Sequence, residues 1–423
     1  MTKVREEDGA TDYHRVSQLA TLINGFPFDS ADFSNDADVP LVRIRDLSTP
    51  AFETFVPRDV VPAFAFVRNR DVVIGMDGDF NSVFWQRGEA ALNQRVCLLR
   101  ARPGVDPRFI AYAVPPHLQR INDLTWSTTV KHLSAGSVRA IRVPAHSSER
   151  QRAIADYLDQ ETAQIDAFIA KSEELITLLA ERRAAVIAHA VTRGVDASVP
   201  LTASGVEWLG DVPSHWPVQR LASTVARARN GVWGSDPDGG DADLRCVRVA
   251  DFDRPKQRIH DDAHTLRKVS ASERAGRVLR NGDLLLEKSG GGEKSPVGFV
   301  VLYDRDEPAV CSNFVARVEL RAGMDPKFWT YVHGAMYRLR ITEKSLKQST
   351  GIQNLDQSAY FNEYVAVPPY REQCAIAEQV ERRTAEIDAA VSTARHSVAL
   401  ARERRAALIS AAVTGKIDVG VAV

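Results

Sequence analysis

Two stretches read side by side decide the fold. Residues 151–196 are QRAIADYLDQETAQIDAFIAKSEELITLLAERRAAVIAHAVTRGVD, and residues 373–418 are QCAIAEQVERRTAEIDAAVSTARHSVALARERRAALISAAVTGKID. They align without a gap at an offset of 222, with about 20 of 46 positions identical, so the chain is written twice. In the first copy Ile154, Leu158, Ile165, Ile169, Ile176, Leu179, Val186 and Ala190 recur at helical spacings. Ile376, Val380, Ile387, Val391, Val398, Ala401, Leu408 and Ala412 keep the same register in the second. Such a seam, sustained over several heptads, predicts two long helices that pair as a coiled coil. Some 40 residues at 1.5 Å each make a rod of about 60 Å. Ser148 with Gln151 suits a capping box, Pro368–Pro369 suits the first turn of the second helix, and Gly194 and Gly415 stand at the expected stops. The plainer alternative is two bundle helices inside one larger domain.

The segments before each helix are also related. Val42-Arg43-Ile44-Arg45-Asp46-Leu47 matches Val247-Arg248-Val249-Ala250-Asp251-Phe252. Asp71-Val72-Val73-Ile74 before Gly78 matches Asp283-Leu284-Leu285-Leu286 before Gly290, and Asp106-Pro107 matches Asp325-Pro326. Leu133 after Ser127-Thr128 matches Leu355 after Ser349-Thr350. Short apolar runs such as VVIG and DLLLE, bounded by Gly, Asp and Asn, predict a mixed α/β domain rich in sheet. The division is a domain over 1–146, a helix over 147–195, a second domain over 196–368 and a second helix over 369–423.

Length and composition allow this. At 423 residues, 44% apolar and 26% charged, the chain has the make-up of a globular protein of several domains. Cys97, Cys246, Cys311 and Cys374 are scattered, without the spacing of a zinc site or a disulfide framework, which fits a reducing cytoplasm. The polar start MTKVREEDGATDYHR is not that of a signal peptide. Net charge is −1; residues 1–146 carry 17 basic and 17 acidic side chains, and residues 196–368 carry 23 of each. Such balance permits a local basic cleft without arguing for one.

Along nearly its whole length the chain resembles the specificity subunits of Type I restriction–modification systems. Gly205-Val206-Glu207-Trp208-Leu209-Gly210-Asp211-Val212-Pro213, followed by His215-Trp216, is similar to the family's entry into a target recognition domain. Ser349-Thr350-Gly351-Ile352-Gln353-Asn354-Leu355 is similar to the segment that leads a domain toward its helix. Val367-Pro368-Pro369 with Glu372-Gln373, and Glu403-Arg404-Arg405 with Val413-Thr414-Gly415-Lys416, match the start and end of the family's helical regions. The first half departs from the pattern: it lacks the Gly-Val-Glu-Trp entry, and Thr128-Thr129-Val130-Lys131-His132-Leu133 has no counterpart of Gly351. The resemblance implies two target recognition domains separated by an antiparallel helix pair with pseudo-twofold symmetry. Each domain would read half of a split double-stranded DNA target, and the helices would set the unread gap. It also implies two modification (methyltransferase) subunits and restriction/translocase subunits as partners. S-adenosylmethionine would then belong to the modification subunits and ATP and Mg to the restriction subunits, with no cofactor on this chain.

Base edges are read by side chains that donate and accept in the major-groove pattern. In the second domain the candidates are Lys288, Ser289, Gly290 and Lys294 in the loop after DLLLE, then Gln348, Ser349, Thr350 and Gln353 in the run Lys347 to Asn354, with Arg248 and Asn313 behind them. In the first domain they are Asn81, Ser82, Gln86 and Arg87, with Arg43, Gln94, Thr128, Thr129 and Lys131. The alternative for each is a solvated turn residue.

Enzyme signals do not hold up. Gly290 to Ser295 lacks P-loop spacing, since Glu293 stands where a glycine is required. Val367-Pro368-Pro369-Tyr370 lacks the Asn or Asp that an amino-methyltransferase needs to hold the target amine. Glu287 and Lys288 are adjacent, so on a strand they point to opposite faces and make no nuclease pair. A non-catalytic DNA-binding subunit is the expectation; a coiled-coil assembly protein without DNA specificity and an unrecognised single-chain DNA-modifying enzyme are the alternatives.

Overall fold

The computed structural model describes residues 12–125, 130–292, 295–349 and 352–420. Two compact units emerge: residues 1–173 with 395–423, and residues 174–394. This division cuts across both long helices, so each unit holds one globule and a stretch of each helix.

Both globules are built on the same sheet. In unit one the strand order is Ala20–Asn24, Val96–Ala101, Val72–Gly75, Ser82–Phe84, with every pair antiparallel. In unit two it is Val225–Asn230, Val315–Leu320, Leu284–Glu287, Val300–Leu302, again antiparallel throughout. A second sheet in each unit contains one parallel pair, Val39–Val42 with Ala90–Leu92 and Asp243–Val247 with Ala309–Cys311.

The run VVIG has no polar position because its strand is covered on both faces. Val72 and Ile74 join Leu99, Phe109, Ile154, Leu158 and Ile409 in one core, while Val73 joins Val42, Trp85, Leu92 and Leu98 in the other. In unit two Leu284 and Leu286 pack with Phe328, Trp329, Ile187 and Ile376, and Leu285 with Val247, Val301 and Tyr303. Each strand is preceded by a buried aspartate. Asp71 accepts from Arg100 at 2.7 and 3.0 Å, and Asp283 accepts from Arg317 at 2.7 and 3.2 Å. Each carboxylate also caps its own turn, taking the Arg68 and Arg280 amides.

The long helices run Ser148–Arg193 and Tyr370–Val413. Within unit one Asp166 meets Arg405 and Glu173 meets Arg402, so the two stretches run antiparallel. Within unit two Arg183 meets Asp388 at 3.0 Å. Arg183 and Arg405 are the same repeat position, as are Asp166 and Asp388, so the two units make one ion pair with the copies exchanged. The seam shifts near each C-terminus: Ile187 and Ile409 are buried, beside half-buried Val186 and Leu408. There the helix packs on a globule, not only on the other helix.

The helix starts differ from expectation. Ser147, not Ser148, accepts an end amide, that of Arg150, while the Ser148 hydroxyl donates to the Gly104 carbonyl. Pro368 and Pro369 precede the second helix, which begins at Tyr370. Gln151 and Gln373, at the same repeat position, each accept the amide of the aspartate that opens a domain helix. The bonds are Asp106 N to Gln151 at 3.1 Å and Asp325 N to Gln373 at 2.8 Å. Gly194 and Gly415 end the helices at φ +74° and +76°, the left-handed conformation glycine adopts freely. No helix among the described residues is long and apolar enough to cross a membrane.

Asp283→Ala leaves the Arg317 guanidinium buried without its carboxylate and should cost about 3–5 kcal/mol in chemical denaturation. Asp166→Ala breaks an exposed pair and should cost about 1 kcal/mol or less. A second prediction concerns acid. His333 is fully buried, with Nδ1 2.6 Å from the Tyr360 hydroxyl, and burial pushes its pKa down to about 4. The unfolded chain therefore binds this proton first, and stability is lost as pH falls from about 6.5 to about 4, by up to about 3 kcal/mol. Denaturation midpoints at pH 7 and 4.5 should separate less in His333→Gln. Some slope persists from His117 and His146, which burial shifts the same way.

Candidate nucleic-acid interface

The central strand of each sheet delivers a loop to one end of its globule, and three backbone hydrogen bonds hold that loop. In unit one Leu133 N donates to Met76 O, Gly78 N to Lys131 O, and Met76 N to Arg95 O, at 2.7, 3.0 and 3.0 Å. In unit two Leu355 N donates to Lys288 O, Gly290 N to Gln353 O, and Lys288 N to Phe314 O, at 2.8, 3.1 and 2.9 Å. The turns 93–95 and 312–314 are tied in turn to the second sheet: Asn93 N donates to Val42 O and Ser312 N to Val247 O. Segments scattered over more than 90 residues of sequence thus converge twice in one arrangement. Gly78 and Gly290 hold φ +78° and +107° with open space where a Cβ would stand, so backbone is presented directly to solvent.

The structure brings together Lys288, Ser289, Gly290, Asn313 and Gln353, and places the strand Leu346–Ser349, with Gln348 and Ser349, beside Ile352–Leu355. Asn313 is exposed, Lys288 half-buried, and the Ser289 hydroxyl donates to Asn354 Oδ1 at 2.6 Å. Gln353 is buried, and its Oε1 has no partner among the described residues. In unit one Gln94 is exposed at the position of Asn313, Asn81 precedes the next strand and Ser82 opens it. Thr128, Thr129, Lys294 and Thr350 lie outside the described residues.

Several nominated cations serve the fold instead. Arg87 lies 3.8 Å from the Phe52 ring and donates to the carbonyls of Asp46 and Pro50. It and Gln86 follow Trp85, which bonds Arg70 and Asp71 at the far end of the sheet from the loop 76–78, because the hairpin reverses the chain. Lys131 Nζ donates to Asn122 O and Oδ1, closing the helix Pro115–Leu124. Arg43 and Arg248 each turn onto a buried aspartate three residues on, Asp46 and Asp251, at 3.3 and 2.9 Å. That hydrogen bond to Asp251 raises the Arg248 pKa. The two turns share their backbone conformation, φ −109° with ψ 168° and 165°. Arg248 keeps a half-exposed guanidinium beside the Asn313 turn, whereas Arg43 is more enclosed.

Arg95, His132 and Phe314 are the side chains that sequence reasoning missed, and Asn354 lies in the candidate run Lys347 to Asn354 without having been singled out. Arg95 is 62% exposed and lies 3.4 Å from Asp77; His132 is 57% exposed, with Nδ1 2.7 Å from Asp77. Phe314 is 46% exposed at the place of Arg95. Their signal was the alignment of Gly78 with Gly290 and of Leu133 with Leu355, which also registers the residues beside them. At the base of the second loop Glu287 is buried against Arg254 at 2.7 Å; burial raises its pKa, against the pull of that arginine. Trp208 and Trp216 bond Tyr364 O and Glu372, as anchors do.

Comparison with known proteins agrees with this arrangement. Residues 11–177 match the family model of the Type I restriction modification DNA specificity domain. The chain is 26% identical over 412 residues to the Type I restriction enzyme EcoBI specificity subunit of Escherichia coli, spanning 95% of this chain and 85% of that one. Over most of its length the chain is thus similar to Type I restriction–modification specificity subunits. It is 24% identical over 390 residues to the StySPI specificity subunit of Salmonella potsdam, covering 88% and 82% of the two chains. A chain from a structural study of complex assembly and conformational transition in the type I R-M system shares the fold. Its TM-score is 0.63 at 14% identity, over 97% of this chain and 100% of that one.

Arg87→Ala should lower stability by about 1–3 kcal/mol in chemical denaturation, through two lost carbonyl bonds and the ring stack. Gln94→Ala, at an exposed turn, should stay within about 0.5 kcal/mol of the parent.

Proposed function

We propose that this chain is a specificity subunit that reads a split double-stranded DNA target, one half with each globule, and has no catalytic site of its own. The observation that carries the proposal is the double occurrence of one loop frame, held by matching backbone bonds but tipped with different side chains. Two related readers on one chain suit two half-sites of different sequence. Exposed amides at Gln94 and Asn313 and the Lys288 amine offer base-edge chemistry, and Gly78 and Gly290 let backbone approach phosphates. The balanced charge fits a chain whose partners supply part of the phosphate contact.

Two modification subunits and the restriction/translocase subunits are the proposed partners, holding S-adenosylmethionine, ATP and Mg. In unit one the helices frame an apolar groove of about 450 Å³ between Ile165, Phe168, Leu400 and Ala401, with Phe168 and Leu400 about half exposed. Exposed apolar surface of this kind suits a partner helix. Methylation-sensitive genome sequencing of a strain expressing the chain with its modification subunits, against one lacking the chain, is the test. A new motif with methylated adenine in both halves and a fixed gap is the expected result. No change, with the modification subunits active beside another specificity subunit, leaves only an assembly role.

A further inference from the structure

We infer that His132 in unit one and Asn354 in unit two are equivalent specificity-determining residues, each aimed by a partner on the loop opposite, Asp77 and Ser289. This rests on the DNA-reading function proposed above. Asp77 pairs with His132 and Ser289 with Asn354 as isolated β-bridges, each inside the three-bond frame the units share. In both, the loop residue is the more enclosed partner: the Asp77 side chain is 20% exposed against 57% for His132, and Ser289 is buried beside half-buried Asn354. The backbone thus puts one pair of side chains at one place twice, and the chemistry differs.

In unit two the Ser289 hydroxyl donates to Asn354 Oδ1, which fixes which end of the amide is which. The Nδ2 donors are left for a ligand, and Oδ1 retains a second lone pair. A fixed amide that donates first suits the N7 acceptor edge of a purine. In unit one a carboxylate can only accept, so Nδ1 of His132 carries the proton shared with Asp77. With Nδ1 committed to Asp77, Nε2 is the ring atom left for a ligand, and as an acceptor it suits the exocyclic amine of adenine or cytosine. Arg95 beside Asp77 adds guanidinium donors where unit two offers the Phe314 ring. The two half-sites therefore differ in chemical class at this position: an amine-bearing base for unit one, a purine for unit two.

The test uses the full chain with its modification subunits and reads the base frequencies of the methylated motif. Asn354→Ala should cut the purine preference at one position of one half by about tenfold or more. The other half and the gap should be unchanged. His132→Ala should do the same at one position of the other half only. Ser289→Ala should broaden the position that Asn354→Ala broadens, and Ser289→Thr, which keeps the hydroxyl, should restore it. Asn354→Gln and His132→Gln, close in size to the originals, give the same readout should an alanine variant fail to accumulate. An unchanged motif in all variants overturns the inference while leaving the DNA-reading function standing, as does loss of both halves together. A parent chain that directs no split motif overturns both.

Discussion

Burial of one strand on both faces is the constraint on which the rest of each unit depends. Val72–Gly75 and Leu284–Glu287 each lie inside a four-stranded sheet with an apolar core above and below. A strand held in this way cannot slip by one residue, because every side chain would change core. The buried Asp71 and Asp283, held by arginines from the neighbouring strand, pin its start. With its start and register set, its end is set too, and the loop that follows leaves the sheet at one place. A loop carried in this way gains its precision from the scaffold, not from its own sequence.

The proposed function follows from keeping the frame and varying its tips. Backbone bonds among the loop, the 93–95 or 312–314 turn and the segment before each long helix recur in both units. They involve no side chain, so side chains at the tips can differ without disturbing the fold. Asp77, His132 and Arg95 in one unit stand where Ser289, Asn354 and Phe314 stand in the other. A duplicated scaffold with free tips is a physical route to a target whose halves differ.

The helices obey the same economy. Asp166 with Arg405 and Arg183 with Asp388 are one pair with copies exchanged. Gln151 and Gln373 hook each helix start to the aspartate that caps a domain helix, Asp106 or Asp325. These amides are buried and hydrogen-bonded on both sides, so they orient helix against globule more firmly than the exposed ion pairs do.

The sequence by itself determined the duplication, the two long helices, the central strands and the glycine turns after them. Each is local: a period of 3.6, an apolar run of strand length, a residue free to adopt positive φ. It also named loops that the structure joins, Lys288 to Gly290 with Gln353, because the repeat registers them. Only the tertiary structure decided which of the nominated side chains are free. Arg87 is spent on Phe52 and two carbonyls, Lys131 on the end of a helix, Arg43 on Asp46. Phe52 and the Asp46 carbonyl come to Arg87 from more than 30 residues away in sequence, and local spacing carries no record of them. For the same reason His132 went unnamed and Asn354 was not singled out within its run: what distinguishes them is the partner across the loop, Asp77 or Ser289, 55 or 65 residues earlier.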